Sequence, residues 1–179
     1  MIFFTSDAHL GHANVIKLCS RPFSSVEEMD EVIISNWNER VRKNDTVYIL
    51  GDLIFRAQKP PEEYLSRLKG KKHLIMGNHD KHWIRKVDLS AFFESVSTLD
   101  SISDGKRKLV LCHYPLMTWG GANRGAVHVY GHIHANKNGE YWPLLQTMEN
   151  ALNAGMDIHN FRPVEFDELL ENNHKWRCE

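Results

Sequence analysis

Five short polar clusters in this chain each follow an apolar run: Asp7-Ala8-His9, Gly51-Asp52, Gly77-Asn78-His79-Asp80, Cys112-His113 and Gly131-His132-Ile133-His134. Carboxylates, imidazoles and an amide oxygen together suit metal ions of intermediate hardness, such as manganese, iron, zinc or nickel. A structural zinc site would be built on thiolates, and Cys19 and Cys112 do not supply that pattern. Each cluster has a plainer reading by itself. Asp7 could be a turn residue, Asp52 a helix cap, Gly77-Asn78 a turn, His113 a packed histidine, and His132 and His134 two surface histidines. Together these readings need independent coincidences at five strand exits, so convergence on one crevice outside a sheet edge is the expected arrangement.

The runs ahead of the clusters must position them. Residues 2–6 read as a strand ending at Asp7, 46–50 as a second closed by Gly51, 73–76 as a third ending at Gly77, and 126–130 as a strand leading into Gly131. Between the first two, Val26, Met29, Ile33, Ile34, Trp37 and Val41 recur at helical spacing, with Ser24 or Ser25 as cap and Glu27 and Glu28 near the positive end. Pro60 or Pro61 opens a second helix carrying Tyr64, Leu65 and Leu68 and stopping near Gly70. A short helix is expected around 89–94. Strands at 96–103 and 107–112 are joined by a turn at Asp104-Gly105. Lys137-Asn138-Gly139-Glu140 reads as a turn between strands near 133–136 and 141–145, and a short helix is expected at 165–172. Alternating strands and helices followed by a hairpin-rich half imply an α/β core with at least two sheets.

Bulk properties set the outer bounds. At 179 residues, 42% hydrophobic and 25% charged, the chain suits one globular domain over 1–179, large enough to form a core without disulfides. Its formal net charge of -1 offers no polybasic surface for nucleic acid or acidic lipid, though a local positive cleft stays open. Cys19, Cys112 and Cys178 are an odd number without close pairing, which with the lack of a legible signal peptide points to the cytoplasm. No run is long and apolar enough for a membrane span.

In their order, D7-A8-H9, G51-D52, G77-N78-H79-D80, H113 and G131-H132-I133-H134 resemble the motifs of the calcineurin-like metallophosphoesterase superfamily. The likeness spans residues 7 to 134. SDAHLGHANVI and the short length are similar to its small bacterial or phage phosphoesterases. The resemblance implies a four-layer αββα sandwich of two mixed β-sheets with outer helices. It implies that Asp7, His9 and His134 hold one metal, that Asp52 bridges to a second, and that Asn78, His113 and His132 complete it. Manganese leads among the ions the donors suit. It further implies that His79 faces the substrate and that Asp80 hydrogen-bonds to His79 and orients it.

Asp7 and Asp52 bring two negative charges, so two divalent ions and a bridging hydroxide leave the centre at about +1, attractive to a phosphate ester. The expected reaction is in-line attack of a metal-activated hydroxide on phosphorus, with His79 protonating the leaving group. An unperturbed histidine titrates near 6.5, and the Asp80 carboxylate is expected to favour the protonated form of His79. His12 and Asn14, just after the first motif, and Arg124 in a Gly-rich stretch are candidates for substrate contact, and Arg21 is a further one. Trp119, Tyr141 and Trp142 could wall a nucleobase pocket or pack in the core, and Asp157 with His159 could form another small site. The expected substrate is a small phosphodiester, nucleotidic ones included. A phosphomonoesterase, a protein phosphatase, a nuclease and a catalytically silent metal-binding interaction module are the alternatives. Nothing in the sequence indicates the oligomeric state.

Overall fold

In β1 (Ile2–Thr5) the side chains of Phe3 and Phe4 leave on opposite faces and enter two different hydrophobic clusters. The same period of two recurs in β2 (Thr46–Ile49), where Val47 and Tyr48 divide, and in β3 (Lys71–Ile75), where Leu74 and Ile75 divide. A sheet apolar on both faces must be covered on both, and the computed structural model, which describes residues 1–178, shows what covers it. On one side lie α2 (Val26–Arg40), through Met29, Ile33 and Trp37, and α3 (Pro61–Leu65), through Tyr64 and Leu65. On the other lies a second sheet, through Leu109, Leu111, Val127 and Val129.

The first sheet has the order β1-β2-β3-β4, with β4 at Ser95–Ser97, and all its pairings are parallel. The second consists of β5 (Leu99–Ser103), β6 (Lys108–Cys112), β7 (Val127–Tyr130) and β8 (Ala151–Asn153) in that order; β5 and β6 are antiparallel and the rest parallel. The outer face of this sheet, at Tyr130 and Ala151, is covered by Leu145 of α4 (Trp142–Leu145) and Trp176 of α5 (Phe166–Cys178). Phe166 and Leu169 of α5 also close the core between the sheets. The arrangement is the expected α/β sandwich of two sheets flanked by helices; each sheet has four strands, and only the second is mixed, the first being parallel throughout.

Several local expectations change: the helix opened at Pro60 or Pro61 ends at Leu65 and does not carry Leu68, and the helix around 89–94 is a 3-10 turn at Leu89–Ala91. The run 96–103 is not one strand: β4 pairs with β3 in the first sheet, and the chain crosses at Thr98 into β5 of the second. Strands near 133–136 and 141–145 are absent. His132 and His134 have left-handed backbones (φ 73° and 51°), which breaks an extended run. Pro143 has no N–H for a ladder but suits the first turn of α4. The tail helix runs on to Cys178, and a helix without a sequence expectation, α1 (Ala13–Leu18), follows the first motif.

Candidate metal centre

Because β1, β2 and β3 run parallel, as do β6 and β7, the clusters that follow them leave from one edge of each sheet. Backbone bonds tie the exits together: Asp7 N–H to Gly51 O at 3.0 Å, His9 N–H to Asp52 O at 3.0 Å, and Gly131 N–H to His113 O at 2.9 Å. The turns are tight enough that Asp7, His9, Asp52, His132 and His134 all adopt left-handed backbones, with φ from 51° to 73°. That conformation is costly for residues with a Cβ, and it gathers at sites whose surroundings enforce it. Two glycines allow the close approach. A Cβ at Gly77 would collide with the Asp52 carboxylate, and one at Gly131 with Ser6 Oγ and Asp7 Oδ2.

Each carboxylate spends one oxygen on backbone and leaves the other facing inward. Asp7 Oδ2 accepts from His132 N–H at 2.9 Å, and Asp52 Oδ1 from His79 N–H at 2.8 Å. Asp7 Oδ1 lies 4.0 Å from His9 Nε2, while Asp52 Oδ2 lies 3.8 Å from His9 Nε2 and 3.4 Å from His113 Nε2. Two groups of donors result, Asp7–His9–His134 and Asp52–His113–His132, each with its ligand atoms within 4.8 Å of one another. Asn78 Oδ1 stands 3.0 Å from His113 Nε2 and joins the second group. Asp52 lies between the two groups.

Two of the four candidate imidazoles are oriented by a hydrogen bond at Nδ1. His113 gives Nδ1–H to Leu50 O at 2.7 Å, and His134 gives Nδ1–H to Asp157 Oδ2 at 2.8 Å, so in both rings Nε2 is left to face the centre. Asp7 Oδ1 and both ring nitrogens of His9 are buried without a hydrogen-bond partner in the protein. Polar atoms kept dry and unpaired are expensive, and this mixed oxygen and nitrogen set fits divalent cations. Burial pushes the Asp7 carboxyl up, helped by the Asp52 charge, and pushes His9 well down, so His9 is held neutral as a ligand must be. Burial works on Asp52 too, but in the metal-free protein the hydrogen bond and charge of a protonated His113 outweigh it and hold its carboxyl low, a proton that a bound ion would replace.

Beneath the first group lies a support the sequence did not indicate. The buried Arg21 guanidinium donates to Asp7 O at 2.6 Å and Ala8 O at 2.9 Å, and it pairs with Asp157. Arg21 is therefore no substrate contact, and Asp157 belongs to the His134 side of the centre. His159 stands apart, bonded to Asn153 O and Asn172. Cys19 groups with His134 and Asp157 within 4.8 Å. Asp157 is already matched by Arg21 and His134, so this group reads as support, not as a further ion site.

His79 sits outside both donor groups, with Nε2 3.9 Å from Asp52 Oδ2 and its ring against Phe55, 4.0 Å between centroids. Its side chain is 37% exposed, open to a cleft of about 650 Å³ over the centre. The expected partner is corrected. Asp80 makes no hydrogen bond to His79; it accepts from Asp52 N–H, Gly77 N–H, Leu53 N–H and Trp83 Nε1–H at 2.7–3.1 Å. Fully buried, Asp80 braces the two turns that carry Asp52 and Asn78.

Among the substrate candidates, the structure brings His12 to the cleft, packed on Phe55 with ring centroids 4.8 Å apart. Asn14 instead lines a separate pocket beside Asp30 and Tyr64. Arg124 sits in a 3-10 turn between two left-handed glycines and does not line the cleft. Tyr141 does line it, whereas Trp119 and Trp142 pack in the outer cluster of the second sheet.

A two-sheet sandwich with paired Asp and His clusters at one edge offers donors that suit divalent cations. The chain belongs to the calcineurin-like phosphoesterase family, which its residues 1–149 match. Members hydrolyse phosphate esters with divalent metals. An uncharacterised protein of Methanocaldococcus jannaschii is 36% identical over 174 residues, covering 95% of this chain and 89% of its own. The gene 66 protein of Mycobacterium phage L5 is 30% identical over 160 residues, covering 74% of this chain and 77% of its own. Among solved structures, a protein of unknown function from Aquifex aeolicus superposes with a TM-score of 0.73 at 26% identity, covering 96% of this chain and 98% of that one. No helix among the described residues is long and apolar enough to cross a membrane.

Proposed function

We propose that this chain is a phosphodiesterase with a two-metal centre, acting on small diesters that include nucleotidic ones. The observation that carries the reading is Asp52, whose Oδ2 stands 3.8 Å from His9 and 3.4 Å from His113 and so joins the two donor groups, with His79 unclaimed by either. Asp7, His9 and His134 would hold one ion, Asn78, His113 and His132 the other, and Asp52 both. Bound there, divalent ions, manganese first among them, supply Lewis acidity toward phosphoryl oxygens and make water a competent nucleophile near neutral pH. As the new O–P bond forms and the ester P–O bond opposite breaks, His79 Nε2 gives its proton to the departing oxygen and regains one from solvent.

The preference for a diester rests on charge. Neither lysine nor arginine lines the cleft over the centre, so the second negative charge of a monoester dianion finds no fixed cation there. The three cysteines are free, which accords with a cytoplasmic setting. A metal-loaded panel tests the reading: p-nitrophenyl phosphate, its bis-ester, cyclic nucleotides, dinucleotides, and single-stranded DNA and RNA. Turnover of the bis-ester, abolished by a chelator, is expected. Turnover of monoesters alone would overturn the phosphodiesterase reading. No turnover of any ester by protein carrying both ions would leave a metal-binding interaction module.

A further inference from the structure

His79 also borders a second groove, of about 740 Å³, which shares no other lining residue with the cleft over the centre. The two hollows differ in charge. The cleft over the centre contains no Lys, Arg, Asp or Glu, whereas the groove is lined by Arg56, Lys59 and Lys86 against the single carboxylate of Glu62. Another hollow, at Arg42, Lys43, Lys69, Lys71 and Lys72, holds more cations, so what marks this groove is that its cations adjoin His79 beside the metal centre. Among the described residues none of the three forms an ion pair, and each head group is left to solvent or to a ligand. Arg56 lies over the Phe55 ring at 5.1 Å, and Phe55 packs on His79, so one aromatic ring separates the nearest of these cations from the imidazole.

We propose that this groove is a subsite for a second phosphate group of the substrate, one beyond the scissile linkage. The substrate class is then a short nucleotide bearing a terminal phosphate. Its cleaved phosphorus lies at the metal centre, its extra phosphate among Arg56, Lys59 and Lys86, and its uncharged part in the neutral cleft beside Tyr141. The proposal rests on the phosphodiesterase reading. It explains why fixed cations line the groove that shares His79 when none lines the cleft over the metal centre. Multiply charged phosphates favour several separate cations, and such exposed contacts are individually weak and screened by salt.

The test compares wild type with the double variant Lys59→Ala/Lys86→Ala, whose side chains are exposed and unpaired. Both proteins, metal-loaded, are given bis-p-nitrophenyl phosphate, dithymidine phosphate, and the same dinucleotide with a 5′ or a 3′ terminal phosphate. For wild type, one terminal phosphate should lower KM about tenfold. In the double variant the gain should fall to about twofold, the share left to Arg56, and it should shrink as salt is raised, with bis-ester turnover alike in both proteins. If the bis-ester is cleaved and neither terminal phosphate helps, or the full gain survives in the variant, the subsite is wrong and the phosphodiesterase reading stands. If no diester is cleaved, that reading fails by itself. Calorimetric binding of thymidine 3′,5′-bisphosphate against thymidine 5′-monophosphate then decides the groove, and equal preference in both proteins overturns it.

Discussion

Arg21 and Asp157 form a buried pair, Nε to Oδ1 at 2.8 Å and Nη2 to Oδ2 at 3.0 Å, that joins the two halves of the first donor group. Arg21 grips the carbonyls of Asp7 and Ala8, and Asp157 grips His134. Asp157→Asn keeps the shape but removes the charge that orients the imidazole. Affinity for the ion at Asp7, His9 and His134 should fall about 10- to 100-fold. After dialysis, metal analysis should find the variant losing one of its two ions, and added metal should restore it. Two ions held as tightly as in wild type would mean that Asp157 is structural filling.

His79 and Asp52 should part company on substitution. His79 belongs to neither donor group, so His79→Ala should retain both ions while turnover of an ester with a poor leaving group falls about 10²- to 10⁴-fold. Asp52 faces His9 and His113 together, so Asp52→Asn should deplete both ions. Metal content beside turnover checks the pair. Loss of metal from His79→Ala would make that residue a ligand.

Asp80 offers a sharper distinction, because the family resemblance implies that it partners His79. Its two oxygens accept four N–H groups, and an amide at that place would turn a donor toward donors. Asp80→Asn should therefore destabilise the fold by about 1–3 kcal/mol in denaturant unfolding, whereas His79→Ala should leave stability near wild type. A stable Asp80→Asn protein with a shifted pH–rate profile would restore the original role.

The candidate ligand clusters were legible because each of the five follows its own strand, β1, β2, β3, β6 or β7. An apolar run followed at once by Asp, Asn or His marks the place where a sheet hands the chain to a loop, and the parallel pairings bring those places together. What supports the ligands was not legible. Arg21 and Asp157 are 136 residues apart, and each has an ordinary local reading. The crossing at Thr98 was hidden for a related reason, since one extended run serves two sheets and only tertiary pairing divides it. The strand expected at 141–145 failed on a signal that was present, Pro143 at the start of a helical turn.

Asp30 links the first motif loop to the helical layer, and its protonation gives stability a pH dependence that can be assigned. Its carboxylate accepts from Gly11 N–H at 2.9 and 3.1 Å and bonds to Tyr64. Burial nonetheless raises its pKa from 3.8 to about 6. The folded state thus binds a proton that the unfolded state releases above 3.8, so the favourable contribution is complete below that value and lost as pH rises through about 6. Asp30→Asn keeps an acceptor for Gly11 and can donate to the Tyr64 oxygen while removing the ionisation. The variant should melt about 2–4 °C above wild type at pH 8, and the gap should close toward pH 4. Thermal unfolding of the metal-free proteins at pH 4, 6 and 8 checks this, because a gap unchanged across that range would assign the effect to packing and not to the carboxyl proton.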